Sequence, residues 1–178
     1  MEERVILVNQ DDQEMGTMEK QEAHVSGLLH RAFSIFIFNS KGELLLQQRA
    51  LDKYHSPGLW TNTCCSHPRP GEDTLAAANR RLQEEMGMQT ELQYGFNFTY
   101  KANFGNHLIE HEFDHVFFGS SDLLPLANPA EVAAFKYLSL AELEQDLIKN
   151  PEHYSAWLNI CFPKVVDFKH KIYGTLGS

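Results

Sequence analysis

Three clusters of residues in this chain carry groups able to move protons, hold metal ions or grip anions. The first is Thr63-Cys64-Cys65-Ser66-His67, two adjacent thiols followed by an imidazole. Three readings of it stand side by side. The thiols can be small hydrophobes in a buried strand. Cys64, Cys65 and His67 can form a structural zinc site, although adjacent cysteines lack the usual two-to-four-residue gap. Or Cys65 can be an acid/base group or nucleophile, with His67 held nearby by a metal. The second cluster is Leu108-Ile109-Glu110-His111-Glu112-Phe113-Asp114. Side chains alternate along a strand, so Glu110 and Glu112 share one face and His111 takes the other. Two carboxylates on one face repel unless a cation or a proton lies between them. An exposed edge strand would remove the difficulty, but Phe113, Val116, Phe117 and Phe118 read as a buried one. His24, His30 and His67 are candidate partners, and three imidazoles with two carboxylates suit Mn²⁺, Mg²⁺ or Zn²⁺. Spacing leaves open whether the five converge. The third cluster is a charged run in which Arg81 and Glu85 lie one helical turn apart, as do Arg80 and Glu84. Its plainest reading is a solvated helix laced with ion pairs.

The elements that must position these groups follow from periodicity. Pro70-Gly71 marks a turn, Asp73 or Thr74 caps a helix, and Leu75, Ala78, Leu82 and Met86 recur at helical spacing. Gly87 ends that helix, because glycine tolerates a left-handed C-cap. Upstream, Val5 to Asn9 reads as a strand, and Gly16 to Lys20 leads into the segment carrying His24 and His30. Arg31 to Phe38 and Glu43 to Arg49, joined by Asn39-Ser40-Lys41-Gly42, predict a hairpin. Ala50 to Leu59, holding Lys53, Tyr54, His55 and a Pro57-Gly58 turn, reads as a loop. Thr90 to Lys101 and Leu108 to Gly119 read as strands, and Phe135 to Leu138 as a short one. Ser139-Leu140-Ala141-Glu142 has capping-box form and opens a helix to about Lys149. A last helix runs from about Ser155 to Tyr173, kinked or restarted at Pro163. Strands around one mid-chain helix, with two helices at the end, predict an α/β sandwich with a central mixed sheet between helical layers.

The length of 178 residues predicts one domain spanning residues 1–178, long enough for a full core. Hydrophobic residues make up 43% and charged ones 22%, a globular balance. No apolar run approaches the roughly 20 residues of a membrane helix, so no membrane partner is expected. The acidic start lacks the layout of a signal peptide, and three cysteines suit a reducing, cytoplasmic setting. A net charge of −9 argues against nucleic acid and implies that an anionic substrate would need metal ions and a local basic cluster.

Two resemblances sharpen these readings. Arg80-Arg81-Leu82-Gln83-Glu84-Glu85-Met86-Gly87-Met88, with Glu72 upstream, resembles the Nudix box G-x5-E-x7-R-E-U-x-E-E-x-G-U. It departs where Ser66 replaces the first glycine and where Arg81 replaces the first metal-binding glutamate. The second departure puts a cation where an anion belongs, so the helix looks converted from hydrolysis to another use. T-N-T-C-C-S-H-P at 61–68, L-L-H-R-A-F-S at 28–34, L-L-L-Q-Q-R at 44–49 and E-H-E at 110–112 together resemble type I isopentenyl-diphosphate isomerase, in family order over roughly residues 5 to 160. That resemblance implies a Nudix-type α/β/α sandwich and interconversion of isopentenyl and dimethylallyl diphosphate. It implies acid/base roles for Cys65 and Glu112, with Tyr100 assisting, and a cation-stabilising aromatic at Trp157. It implies a first metal on His24, His30, His67, Glu110 and Glu112, and a second, Mg²⁺, brought by the diphosphate and held by Glu85. Lys20, Arg49, Lys53 and Arg81 would neutralise the diphosphate. The expected assembly is a monomer or weak dimer. A Nudix hydrolase of a diphosphate substrate is the nearest alternative, and a non-catalytic metal- or isoprenoid-binding module the more distant one.

Overall fold

The chain from Trp60 to Ser66 is inserted like a wedge between two strands that the sequence pattern would have zipped together. In the computed structural model, which describes residues 2–173, the elements in chain order are β1 (Arg4–Val8), β2 (Glu14–Glu19), α1 (Lys20–Ser26), β3 (His30–Phe38), β4 (Glu43–Arg49), β5 (Trp60–Thr61), β6 (Cys64–Ser66), α2 (Thr74–Met86), β7 (Gln93–Asn103), β8 (Ile109–Ser120), β9 (Val132–Ser139), α3 (Leu140–Lys149) and α4 (Ala156–Tyr173). β3 and β4 meet only at Phe38 and Leu44, beside a turn closed by Asn39. Beyond that point they part, which corrects the expected hairpin. β6 pairs with β3 through Phe33–Ser66, Ser34–Cys65 and Ile35–Cys64, while β5 pairs with β4.

Side chains replace the missing ladder. Thr63 Oγ1 accepts from the Ile37 amide at 2.9 Å and donates to the Leu45 carbonyl at 2.6 Å. Asn62 Nδ2 donates to the Ile35 carbonyl at 3.0 Å, and Gln47 Nε2 to the Thr63 carbonyl at 2.8 Å. Buried backbone groups that lose a strand partner must find another, and these short polar side chains supply it.

The outer edge of β3 pairs in parallel with β8 over nine residues, from His30–Glu112 to Phe38–Ser120. β8 pairs antiparallel with β7, β4 with β9, and β1 with both β2 and β3. The sheet is mixed, as the alternation predicts. Strand pleating divides its core between two faces. Phe33, Ile35, Ile37, Leu45, Cys64 and Phe117 pack with Ala77, Ala78, Leu82 and Met86 of α2. Phe36, Phe38, Leu44, Leu46, Val116 and Phe118 pack with Leu143 and Leu147 of α3 and with Trp157, Leu158, Cys161 and Val165 of α4. The fold is the expected sandwich, a central mixed sheet between helical layers.

Local signals account for most helix ends. Asp73 caps α2 by accepting from the Ala76 amide, and Gly87 closes it at φ +62°, where an added Cβ would lie 2.6 Å from the Leu126 carbonyl oxygen. Ser139 and Glu142 form the reciprocal capping box of α3. Several details depart from expectation. Leu75 is exposed, so the buried stripe of α2 is Ala77, Ala78, Leu82, Glu85 and Met86. β2 and α1 form where the pattern marked only a connecting segment. β9 is longer than Phe135–Leu138, and β7 begins at Gln93 rather than Thr90. α4 does not restart at Pro163 but runs unbroken through it. An interior proline costs about 3 kcal/mol. Burial of Trp157, Leu158, Phe162 and Val165, at about 1.5–3 kcal/mol each, outweighs it.

Candidate active site

The wedge places the two thiols on opposite faces of the sheet. Cys64 points towards α2, its Sγ donating to Glu85 Oε2 at 3.1 Å. Cys65 points towards α4 and borders a cavity of about 520 Å³. Trp157 Nε1 donates to its sulfur at 3.0 Å, and its own thiol donates to Asn62 Oδ1 at 3.0 Å. Ser34 Oγ lies 3.7 Å from the sulfur and donates to Asp114 Oδ2 at 2.8 Å. Burial pushes the Cys65 thiol well above its ordinary range, and the nearby Asp114 carboxyl adds to the rise.

β8 contributes Glu110, Glu112 and Asp114 to one buried face, at 3%, 4% and 1% exposure. The Tyr100 hydroxyl, from the facing strand β7, is hydrogen-bonded to Glu110 Oε1 and Glu112 Oε1. One hydroxyl proton serves one carboxylate at a time, so the second calls for a proton or a cation. Burial, then the Glu112 charge, raises the Glu110 carboxyl to about 7. Burial works the same way on Glu112, but His67 and His30 outweigh it and hold that carboxyl well below its ordinary range.

Four imidazoles surround these carboxylates. His24 Nδ1 donates to the Lys20 carbonyl at 2.7 Å and His30 Nδ1 to the Leu28 carbonyl at 2.9 Å. Each backbone bond fixes the tautomer, leaving Nε2 as a lone-pair donor. Both Nε2 atoms are buried and have no hydrogen-bond partner among the described residues. His67 Nε2 lies 2.6 Å from Glu112 Oε2 and His30 Nε2 3.3 Å from the same oxygen. Ligand atoms of His24, His30, His67 and Glu112 all fall within 4.8 Å of one another, as do those of His24, His55 and Glu110. Orphaned, tautomer-fixed imidazoles around carboxylates are the donor set of a divalent-cation site.

The same cavity is lined by cations as well as carboxylates. Lys20, Arg49, Lys53 and Arg81 line it together with Glu85 and Trp157. Arg49 Nε and Arg81 Nε are buried and lack a partner among the described residues. Lys53 and Arg81 share the Glu131 carboxylate, Arg81 at 3.5 Å. Arg81 also reaches Glu85 at 3.4 Å. Every candidate site residue therefore lies on or directly behind one cavity. His24, His30 and Tyr100 stand behind its wall, and Glu85 sits apart from the imidazole cluster.

Sequence reasoning missed His55, Asp114, Asn62 and Glu131. The two-residue period that paired Glu110 with Glu112 extends to Asp114 and signals it. Asn62, in the middle of the thiol segment, and Glu131, in the approach to β9, carry no local signal.

The family model described as NUDIX domain matches residues 28–158. The isopentenyl-diphosphate Delta-isomerase of Pectobacterium atrosepticum is 53% identical over 164 residues, covering 92% of each chain. The chain belongs to the isopentenyl-diphosphate Delta-isomerase family. A second family member, isopentenyl-diphosphate Delta-isomerase 1 of Aromatoleum aromaticum, is 56% identical over 166 residues, covering 93% of this chain and 94% of the relative. Among solved structures, DR0079 from Deinococcus radiodurans superposes with a TM-score of 0.77 at 21% identity, covering 91% of this chain and 98% of that one. The MutT protein from Methanosarcina mazei superposes at 0.65 and 18% identity, covering 81% and 95%. These two likenesses carry the Nudix fold into the family and nothing of its chemistry.

Proposed function

We propose that this chain interconverts isopentenyl and dimethylallyl diphosphate, with Cys65 and Glu112 as its acid/base pair. The observation that carries the reading is that Cys65, Glu112 and Trp157 border the same cavity that Lys20, Arg49, Lys53 and Arg81 line. Moving the double bond requires a proton at the terminal methylene and removal of another two carbons away. One of Cys65 and Glu112 gives the first proton and the other takes the second, from opposite faces of the allyl unit. Tyr100 holds Glu112 in place and relays its proton. Between the two transfers the substrate is a tertiary cation. The indole of Trp157, which lines the cavity, presents its ring to that cation and shields it from water that would trap it as an alcohol.

His24, His30, His67, Glu110 and Glu112 would hold a divalent ion such as Mg²⁺, Mn²⁺ or Zn²⁺, which would supply a fixed positive charge beside the carboxylates, and Glu85 would hold a Mg²⁺ that offsets the charge of the diphosphate. Lys20, Arg49, Lys53 and Arg81 bind the same anion. Arg81 in place of a glutamate also argues against the hydrolase, since it removes a ligand that in-line attack on phosphorus would need. The wider reading is a one-domain cytoplasmic enzyme, monomeric or weakly dimeric. Among the described residues, no helix is long and apolar enough to cross a membrane.

The test is ¹H NMR of isopentenyl diphosphate in D₂O with Mg²⁺. Dimethylallyl signals with deuterium uptake are expected from the wild type and not from Cys65→Ala. Release of inorganic phosphate without isomerisation would instead assign the chain to hydrolysis.

A further inference from the structure

His55 belongs to neither the three-histidine set inferred for the cation nor the set of lining cations, yet its imidazole is only 7% exposed and lines the cavity. Its Nε2 lies 3.3 Å from Glu110 Oε2, and His24 Nε2 lies 3.7 Å from the same oxygen. Neither approach is a hydrogen bond: Glu110 Oε2 and His24 Nε2 are both buried without a partner among the described residues. Three donor atoms thus converge with no hydrogen bond joining them among the described residues. Two donors on one ion, each at about 2.1 Å, stand about 3.0–3.4 Å apart in octahedral or tetrahedral geometry. The observed separations sit at and just beyond that range.

Packing fixes the ring where hydrogen bonding does not. Phe104 stacks on it at 5.1 Å and 5°, and Trp157 meets it edge-on at 6.2 Å. Its Nδ1 has only a 3.4 Å approach to Ser56 Oγ. A ring clamped by aromatics, with its free nitrogen aimed at an orphaned carboxylate oxygen, is built to donate a lone pair.

We propose that His55 is a fourth imidazole donor to the divalent cation, entering beside His24 and Glu110, so that the ion is held by four histidines and two glutamates. This rests on the cation site proposed above. It also joins the cation to the substrate wall, because the same ring touches Trp157 and the His55 carbonyl accepts from Arg49 at 3.3 Å.

The test uses metal-stripped full-length protein titrated with Mn²⁺ by calorimetry and with Co²⁺ by visible absorption. His55→Phe keeps the stack on Phe104 and removes both nitrogens. It is expected to weaken Mn²⁺ binding at least tenfold and to raise the Co²⁺ ligand-field absorption, as loss of a ligand does. His153→Ala, at an exposed histidine, should leave both unchanged. Independently of any variant, the wild-type Co²⁺ protein should show four hyperfine-shifted imidazole N–H resonances. Three such resonances, or a His55→Phe protein binding Mn²⁺ within twofold of wild type while His24→Ala loses it, would overturn the assignment. If wild type binds neither ion, the cation site itself falls, and the role of His55 falls with it.

Discussion

Asn62 ties the wedge to the site, and its removal should be felt in both. The residue is fully buried. Its Nδ2 donates to the carbonyls of Ile35 and Cys64, each at 3.0 Å. Its Oδ1 accepts from Thr61 Oγ1, Cys65 Sγ and Trp157 Nε1 at 2.9, 3.0 and 3.1 Å. In Asn62→Ala, Thr61 keeps Ser155 and Trp157 keeps the Cys65 sulfur as partners. One thiol loses its acceptor, and the Ile35 and Cys64 carbonyls each lose one donor while remaining in the β3–β6 pairing. A hydrogen bond is worth about 0.5–1.5 kcal/mol net, so loss of these three should cost about 2–4 kcal/mol. For a chain of this size each kcal/mol moves Tm by about 2–4 °C, giving a fall on the order of 5–15 °C in a thermal melt. Turnover should fall further than substrate affinity, because Cys65 loses the acceptor that aims its thiol while the lining cations are untouched. A Tm within about 1 °C of wild type would show that the wedge is held by packing alone, and the hydrogen-bond reasoning would be wrong.

The remaining predictions concern charge and metal. Glu131→Gln frees Lys53 and Arg81 from a shared carboxylate and should tighten binding of inorganic diphosphate several-fold in low-salt calorimetry, whereas Arg81→Glu should weaken it; unchanged affinity in both would remove these residues from the anion site. Mn²⁺ added to metal-stripped protein at 100 times its Kd should stabilise the fold by about 2.7 kcal/mol, visible as a Tm rise that His30→Ala abolishes. A hydrogen bond from Arg80 holds the Glu72 carboxyl below its ordinary range. A depressed folded pKa means that this contribution is full above the ordinary carboxyl range and lost as pH falls through the folded value. Denaturant melts of wild type and Glu72→Gln should therefore show their full gap above the ordinary carboxyl range and converge as pH falls below it; a constant gap across that window would contradict the assignment.

What the sequence disclosed and what it concealed divide along contact distance. The α2 caps, the Ser139 capping box and the shared face of Glu110 and Glu112 are local, set within a turn or a two-residue period, and were legible. The proposed site residues were nominated through resemblance rather than periodicity, since spacing alone left the convergence of His24, His30 and His67 on β8 open. The wedge was not legible, because Asn39 to Gly42 is a sound turn and nothing nearby says that Trp60 to Ser66 will enter between the strands it joins. α1 spans seven residues, too few for periodicity to declare. His55 was hidden because a loop carries no facing rule, so its ring has no assigned side until the fold gives it one.

The opened hairpin also bears on how the chain reaches this structure. Arg31–Phe38 and Glu43–Arg49 emerge together and can zip up at once, since closing a short turn costs little entropy. The native arrangement instead has β3 wait for β8, far along the chain, and for the thiol segment to enter beside it. The locally favoured pairing competes with the native one. Thr63, Asn62 and Gln47, whose hydrogen bonds exist only with the strands apart, are then the residues that make the slower choice the stable one. Weakening them should populate a closed hairpin that shuts Cys65 out of the fold.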